Sequence, residues 1–346
     1  MIVVMKQGAT DAQIDHVIER IEQLGLRSHV SRGQFRTIIG AIGDKQPAHQ
    51  QILEALAGVE RVVPIMKPFK LASREFHAEN SVVEVAGVRF GGPEISIIAG
   101  PCAVENAEMM ERIGRAVAAG GAVMLRGGAF KPRTSPYDFQ GLGEDGLKLL
   151  RAAGDRLGLP VVSEVLAAAD VELVGRYVDM FQVGARNMQN FQLLKEIGQA
   201  GKPVLLKRGF AATIREYLMS AEYVLSRGNH NVVLCERGIK SFETEVRFTL
   251  DVSAVPVIKE YSHLPVLVDP SHAAGRRQLV PALALAGIAA GADGIIVEVH
   301  DRPEEALCDG PQALLPEDFR RLVDQIGRLA AALGRGLSRR PSPRPE

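Results

Sequence analysis

Apolar positions recur along this chain at two spacings, and the switch between them divides it. After a short apolar run at residues 2–5, Thr10 begins a capping box with Gln13, and Ile14, Val17, Ile18, Ile21 and Leu24 follow at the spacing of one helix face. Strand-like runs at 28–31, 37–42 and 61–65 and a helical stretch at 49–56 complete a β-α-β-β-α-β order. That order predicts a ferredoxin-like α+β domain over residues 1–67. Residues 68–80 read as a linker, and SVVEVAGVRFGG alternates about a glycine like a hairpin placed to close the end of a barrel. From Ser96 to His300 eight short apolar runs alternate with helical stretches, each run breaking at its C-terminal end into a charged, sulfur or imidazole side chain. This predicts an α/β fold, a (β/α)8 TIM barrel over residues 81–334 with a last helix at 316–333. The Pro/Arg/Ser-rich residues 335–346 are expected to be a disordered tail.

Composition narrows the class. A formal net charge of +0 with 46% hydrophobic residues offers no general basic field for nucleic acid. Charged residues interrupt every apolar stretch before membrane-spanning length, and no signal-peptide core is present, so neither a membrane nor a nucleic acid is expected as partner. Three cysteines are too few, and odd in number, for a disulfide framework, which favours a reducing cytoplasm.

Barrel active sites assemble at the C-terminal ends of the strands. Cys102 follows run one, His272 follows run seven, Glu298 ends run eight and Asp309 lies in the loop beyond it. Because runs one, seven and eight become neighbours when the barrel closes, these four are expected to surround one point. Sulfur, imidazole and two carboxylates suit divalent Mn, Fe, Co or Zn, with Cys308 and His300 as competing ligands. Arg126, Lys131 and Arg133 crowd a Gly/Pro-shaped segment after run two, and Arg186, Lys207 and Arg237 come from runs four, five and six. Arg208 should face the opposite side of the strand from Lys207. So many cations repel one another unless a polyanionic ligand, or acids such as Glu164 and Glu236, offset them.

With I-A-G-P-C, L-R-G-G-A-F-K-P-R-T-S-P, G-A-R-N, L-L-K-R-G, C-E-R-G and D-P-S-H in order, the chain resembles the 3-deoxy-D-arabino-heptulosonate 7-phosphate (DAHP) synthase family, in the branch with an N-terminal ferredoxin-like regulatory domain. K-P-R-T at Lys131–Thr134 separates it from the related KDO 8-phosphate synthases. The resemblance implies a metal-dependent condensation of phosphoenolpyruvate with erythrose 4-phosphate, releasing phosphate, as the first step of the shikimate pathway. It implies that Arg126, Lys131, Arg186, Lys207 and Arg237 hold phosphoenolpyruvate and that Arg133 and Thr134 receive the aldehyde's phosphate. Cys102, His272, Glu298 and Asp309 are the implied metal ligands, with Lys131, Lys207, Glu164 and His272 expected to assist proton transfer and water addition. For the small domain it implies feedback inhibition by an aromatic amino acid within a dimer or tetramer, with His29 and Ser31 at alternate positions of one strand as candidate contacts. The alternatives are condensation with arabinose 5-phosphate, a non-catalytic phosphosugar sensor and a pyruvate aldolase. K-P-R-T, the complete ligand set and the number of basic positions argue against them in turn.

Overall fold

The computed structural model describes residues 1–33, 36–43, 47–63, 68–133 and 135–339. The chain divides into two compact units, Met1–Pro68 and Phe69–Glu346.

In the first unit, strands β1 (Ile2–Met5), β2 (Arg27–Arg32), β3 (Thr37–Ile42) and β4 (Val59–Val63) form an antiparallel sheet in the order β2-β3-β1-β4. Helices Asp11–Gln23 and Pro47–Glu54 connect them, and the Thr10/Gln13 capping box starts the first helix. Val3, Met5, Ile14, Val17, Ile21 and Ile39 form the core of this ferredoxin-like unit. Val30 packs against that core, so the alternation along β2 turns His29 and Ser31 to the other face of the sheet, where both are exposed.

The second unit opens with the hairpin β5 (Val83–Val85) and β6 (Val88–Phe90). Eight parallel strands follow: β7 (Glu94–Gly100), β8 (Met124–Arg126), β9 (Val161–Glu164), β10 (Met180–Val183), β11 (Val204–Lys207), β12 (Val232–Glu236), β13 (Val266–Val268) and β14 (Gly294–Glu298). β14 pairs with β7 from Gly294↔Ser96 to Glu298↔Gly100, which closes the barrel. The strands are almost wholly apolar because both faces are covered. One face packs on the helices, and the other fills the interior with Ile98, Met124, Val162, Met180, Leu205, Val233, Leu267 and Ile296, one from each strand. Val83, Val85, Val88 and Phe90 of the hairpin join that interior cluster and plug the barrel.

Two segments differ from expectation. Residues 69–81 are a strap bound to the barrel. Phe69 and Ala72 are buried in the main core, the Leu71 and Ala72 N–H groups donate to the Glu222 carboxylate at 2.8 and 3.0 Å, and Ser81 N–H donates to the His263 carbonyl at 2.8 Å. At the other end, the expected tail begins as strand β15 (Gly336–Leu337), which pairs with Glu94 and Ile95 of β7. Arg335 holds the turn before it, donating to the Ala292 carbonyl at 2.8 Å. Residues 340–346 of that tail lie outside the described residues.

Candidate active site

Strand alternation builds the site. Two residues beyond the interior-filling position of each strand, the same face presents Arg126, Glu164 and Gln182 on β8 to β10, then Lys207 on β11. The register continues past the interior Cys235 to Arg237, past Leu267 to Asp269, and ends at Glu298 on β14. On β7 the equivalent residue is Gly100, and the chain turns there to deliver Cys102. Arg208 and Glu236, one residue out of register, face away and pair with each other at 2.8 Å, with Asp251 2.9 Å from the same guanidinium. Glu236 therefore pairs directly with Arg208, and among the inward cations it adds only a longer-range attraction to Arg237.

Cys102, His272, Glu298 and Asp309 come together with one ligand atom from each, all within 4.8 Å of one another. His272 Nε2 lies 3.2 Å from Glu298 Oε1 and 3.9 Å from Asp309 Oδ2, which is 3.5 Å from Cys102 Sγ. The competing ligands fall outside this set. Cys308 Sγ sits 3.3 Å from Cys102 Sγ, beside Arg133 at 2.7 Å, while His300 Nδ1 accepts the Arg302 N–H at 3.0 Å.

Three features make the cluster a possible metal site. Glu298 Oε1 is buried and makes no hydrogen bond, although the Arg126 guanidinium pairs with it at 3.1 Å, so its hydrogen-bonding capacity is left open toward the cluster. His272 Nδ1 lies 2.7 Å from Asp269 Oδ2. Since a carboxylate only accepts, Nδ1 carries the proton and Nε2 offers its lone pair to the cluster. Asp309 occupies left-handed backbone at φ 54°, a conformation unusual for a non-glycine residue and concentrated at functional sites.

Charge is finely balanced here. Burial pulls the His272 imidazole below its ordinary value despite Asp269 and Glu298 beside it, which favours the neutral, ligating form. Burial would raise Asp269, but His272 and Lys207 outweigh it and hold the carboxyl well below its usual range. Asp309 is likewise brought down to about 2, because His272, Arg247 and Lys131 overcome the effect of burial.

A cavity of about 330 Å³ opens beside the cluster, lined by Arg126, Lys131, Arg186, Lys207 and Arg237 with Glu164. Lys131 Nζ is 3.0 Å from Cys102 Sγ, and Lys207 pairs with Asp269. Arg237 stacks on Phe248 at 4.1 Å and Phe210 at 4.8 Å from the ring centroids, and burial lowers it to about 10. Its Nη1 is buried without a partner, as suits an anion-binding group. Arg186 stands exposed at the rim, 5.5 Å from the Phe210 ring centroid. Glu164 accepts from Gln182 Nε2 at 3.1 Å, and its carboxylate fills the space beside Gly184, where a Cβ would lie 2.0 Å from Glu164 Oε1 and push the side chain aside. Arg133 pairs with Asp138 at 3.2 Å. Thr134 lies outside the described residues. Sequence reasoning passed over Gln182, Asp269, Lys240, Arg247 and Gln312. The first two share the strand register, and the others reach in from loops with no periodicity.

A closed barrel with this mouth is an enzyme that works on anionic substrates. Its family follows from known proteins. Residues 82–332 match the model of the DAHP synthetase I family and residues 1–67 that of the DAHP synthase ferredoxin-like domain. Phospho-2-dehydro-3-deoxyheptonate aldolase of Thermotoga maritima is 53% identical over 334 residues, 96% of this chain and 99% of that protein. The crystal structure of that Thermotoga aldolase superposes with a TM-score of 0.78 at 52% identity, covering 97% of this chain and 98% of the other. A 2-dehydro-3-deoxyphosphooctonate aldolase from Syntrophobacter fumaroxidans is 32% identical over 261 residues, 70% of this chain and 90% of its own. The chain belongs to the DAHP synthetase I family and has DAHP synthase activity. No helix among the described residues is long and apolar enough to cross a membrane.

Proposed function

We propose that the synthase condenses phosphoenolpyruvate with erythrose 4-phosphate in a metal-dependent reaction. The observation that carries this is the Cys102, His272, Glu298 and Asp309 cluster opening into the cation-lined cavity. These four residues would hold one divalent Mn, Fe, Co or Zn ion, which when bound supplies Lewis acidity toward the aldehyde oxygen. Arg126, Lys131, Arg186, Lys207 and Arg237 bind and orient phosphoenolpyruvate, placing its C3 against the aldehyde carbon. Arg133 receives the aldehyde's phosphate, with Thr134 beside it in sequence. Lys207 and Glu164 face the same cavity and are suited to guide the water that adds at C2, while Arg186 and Arg237 take up the phosphate that leaves.

The exposed strand face bearing His29 and Ser31 supports an aromatic amino acid effector bound where small domains of a dimer or tetramer pair. Three free, buried cysteines support a cytoplasmic setting. Condensation with arabinose 5-phosphate is the competing chemistry, since a 2-dehydro-3-deoxyphosphooctonate aldolase matches 70% of this chain at lower identity. Timed phosphate release from phosphoenolpyruvate with either aldose phosphate, before and after chelation, separates the two. Turnover is expected with erythrose 4-phosphate alone and only with metal; turnover with arabinose 5-phosphate, or survival of exhaustive chelation, overturns the assignment.

A further inference from the structure

We propose that Gln312 and Arg247 are positioning residues that determine which carboxylate oxygens the cluster presents, and thereby its affinity for a divalent ion. The inference rests on the metal assignment above. Gln312 is 2% exposed, at the end of the short turn Gly310–Gln312 that follows Asp309. Its Nε2 donates to Glu298 Oε2 at 2.6 Å, and its Oε1 accepts from Arg247 Nη1 at 3.0 Å. That same Nη1 lies 3.1 Å from Asp309 Oδ1. One guanidinium therefore contacts Asp309 directly and Glu298 through a single amide.

The amide has only one workable orientation. A carboxylate offers only acceptors and a guanidinium only donors, so Gln312 must turn its nitrogen to Glu298 and its oxygen to Arg247. Each acid thus has one oxygen held from behind, Glu298 Oε2 by Gln312 and Asp309 Oδ1 by Arg247, and the other turned toward the cluster. Glu298 Oε1 makes no hydrogen bond and lies 3.2 Å from His272 Nε2 and 3.1 Å from the Arg126 guanidinium, and Asp309 Oδ2 lies 3.5 Å from Cys102 Sγ. Both point to the place where imidazole and sulfur converge. The arrangement is braced by the backbone, because Phe248 N–H donates to the Ala273 carbonyl at 2.8 Å and Leu314 N–H to the Glu298 carbonyl at 2.8 Å. These bonds fix the backbone from which Arg247 projects, in the loop that also stacks Phe248 on Arg237.

Partners that orient metal ligands from behind typically change affinity by about 10–100-fold when removed. The test is a titration of the metal-stripped, full-length protein with Co(II), read from its visible bands and its thiolate-to-cobalt absorption. Gln312→Leu is expected to weaken Co(II) binding by about 10–100-fold and to shift the visible bands, since Glu298 is freed to rotate. Arg247→Met, at a side chain 37% exposed and so tolerant of replacement, is expected to act in the same direction. If the unsubstituted protein gives the thiolate band while both variants bind as tightly with the same spectrum, this inference alone is overturned. If the unsubstituted protein gives no such band, the metal assignment falls and takes the inference with it.

Discussion

Asp269 holds two functional side chains at once, Lys207 and His272. Lys207 Nζ and His272 Nδ1 both meet Oδ2 while Oδ1 accepts the His272 backbone N–H, so Asp269→Asn keeps the shape but removes the charge that both side chains share and sets its amide nitrogen against one of these donors. Cobalt affinity is expected to fall by about 10–100-fold, and an unaltered titration would show that His272 does not rely on Asp269 for its tautomer. Lys131 is a second decisive residue, since it is buried between Cys102 and the cavity and its ammonium is stabilised by that thiol and Cys308 against the cost of burial. Lys131→Ala is expected to reduce kcat by more than about 100-fold with the fold intact; a variant of normal turnover refutes its placement beside the substrates. Arg126, Glu164, Lys207, Arg237 and Glu298 were legible as charges ending apolar runs. The same period of two, extended through every strand, also reaches Gln182 and Asp269. An uncharged amide attracts no notice there, and an acid before Pro-Ser-His looks like an ordinary helix cap, which Asp269 also is. Arg247 and Gln312 were invisible because only tertiary packing brings their loops to the cluster.

Among the elements, hairpin and strap fasten the barrel without touching its chemistry. Phe90 is fully buried against the interior, and Phe90→Ala is expected to cost about 3–5 kcal/mol in urea unfolding. A cost near zero would mean the hairpin is dispensable. The strap depends on His263, whose Nε2 donates to the Leu71 carbonyl and whose Nδ1 accepts from Ser81 Oγ, each at 2.7 Å. Burial pulls this imidazole below its ordinary 6.5, with His77, Arg74 and His230 adding to the effect and the Leu71 carbonyl opposing it. The folded state therefore excludes a proton that the unfolded chain accepts. The strap's contribution is complete above about pH 6.5 and declines as pH falls toward the depressed folded value. The protection of amides 71–81 relative to their intrinsic exchange rate should fall on acidification in the native protein and much less in His263→Asn; an equal fall in both would assign the effect elsewhere. Phe69, Leu71 and Ala72 pack on the barrel although the sequence reads as a linker there, for a stretch this short has no period and its burial depends on a groove supplied by distant residues.

At the scale of the molecule, the order of elements was readable throughout, because an antiparallel α+β unit and a parallel barrel impose different hydrophobic periods. Where each unit ends was less readable. A truncation intended to isolate the barrel must begin at Phe69, since starting at Arg74 would remove Phe69 and Ala72 from the core. A chain beginning at Phe69 is expected to keep turnover and to lose the inhibition by aromatic amino acids that we propose for the full chain. An unchanged inhibition curve would place the effector on the barrel.

The plug of Val83, Val85, Val88 and Phe90 carries one last consequence. With its far end corked, the barrel is a blind vessel, and everything consumed or made must cross one rim. Anything lodged across that rim, whether a neighbouring subunit or an inhibitor too bulky to descend, would block arrivals and departures together, and would need no affinity for the floor of the chamber.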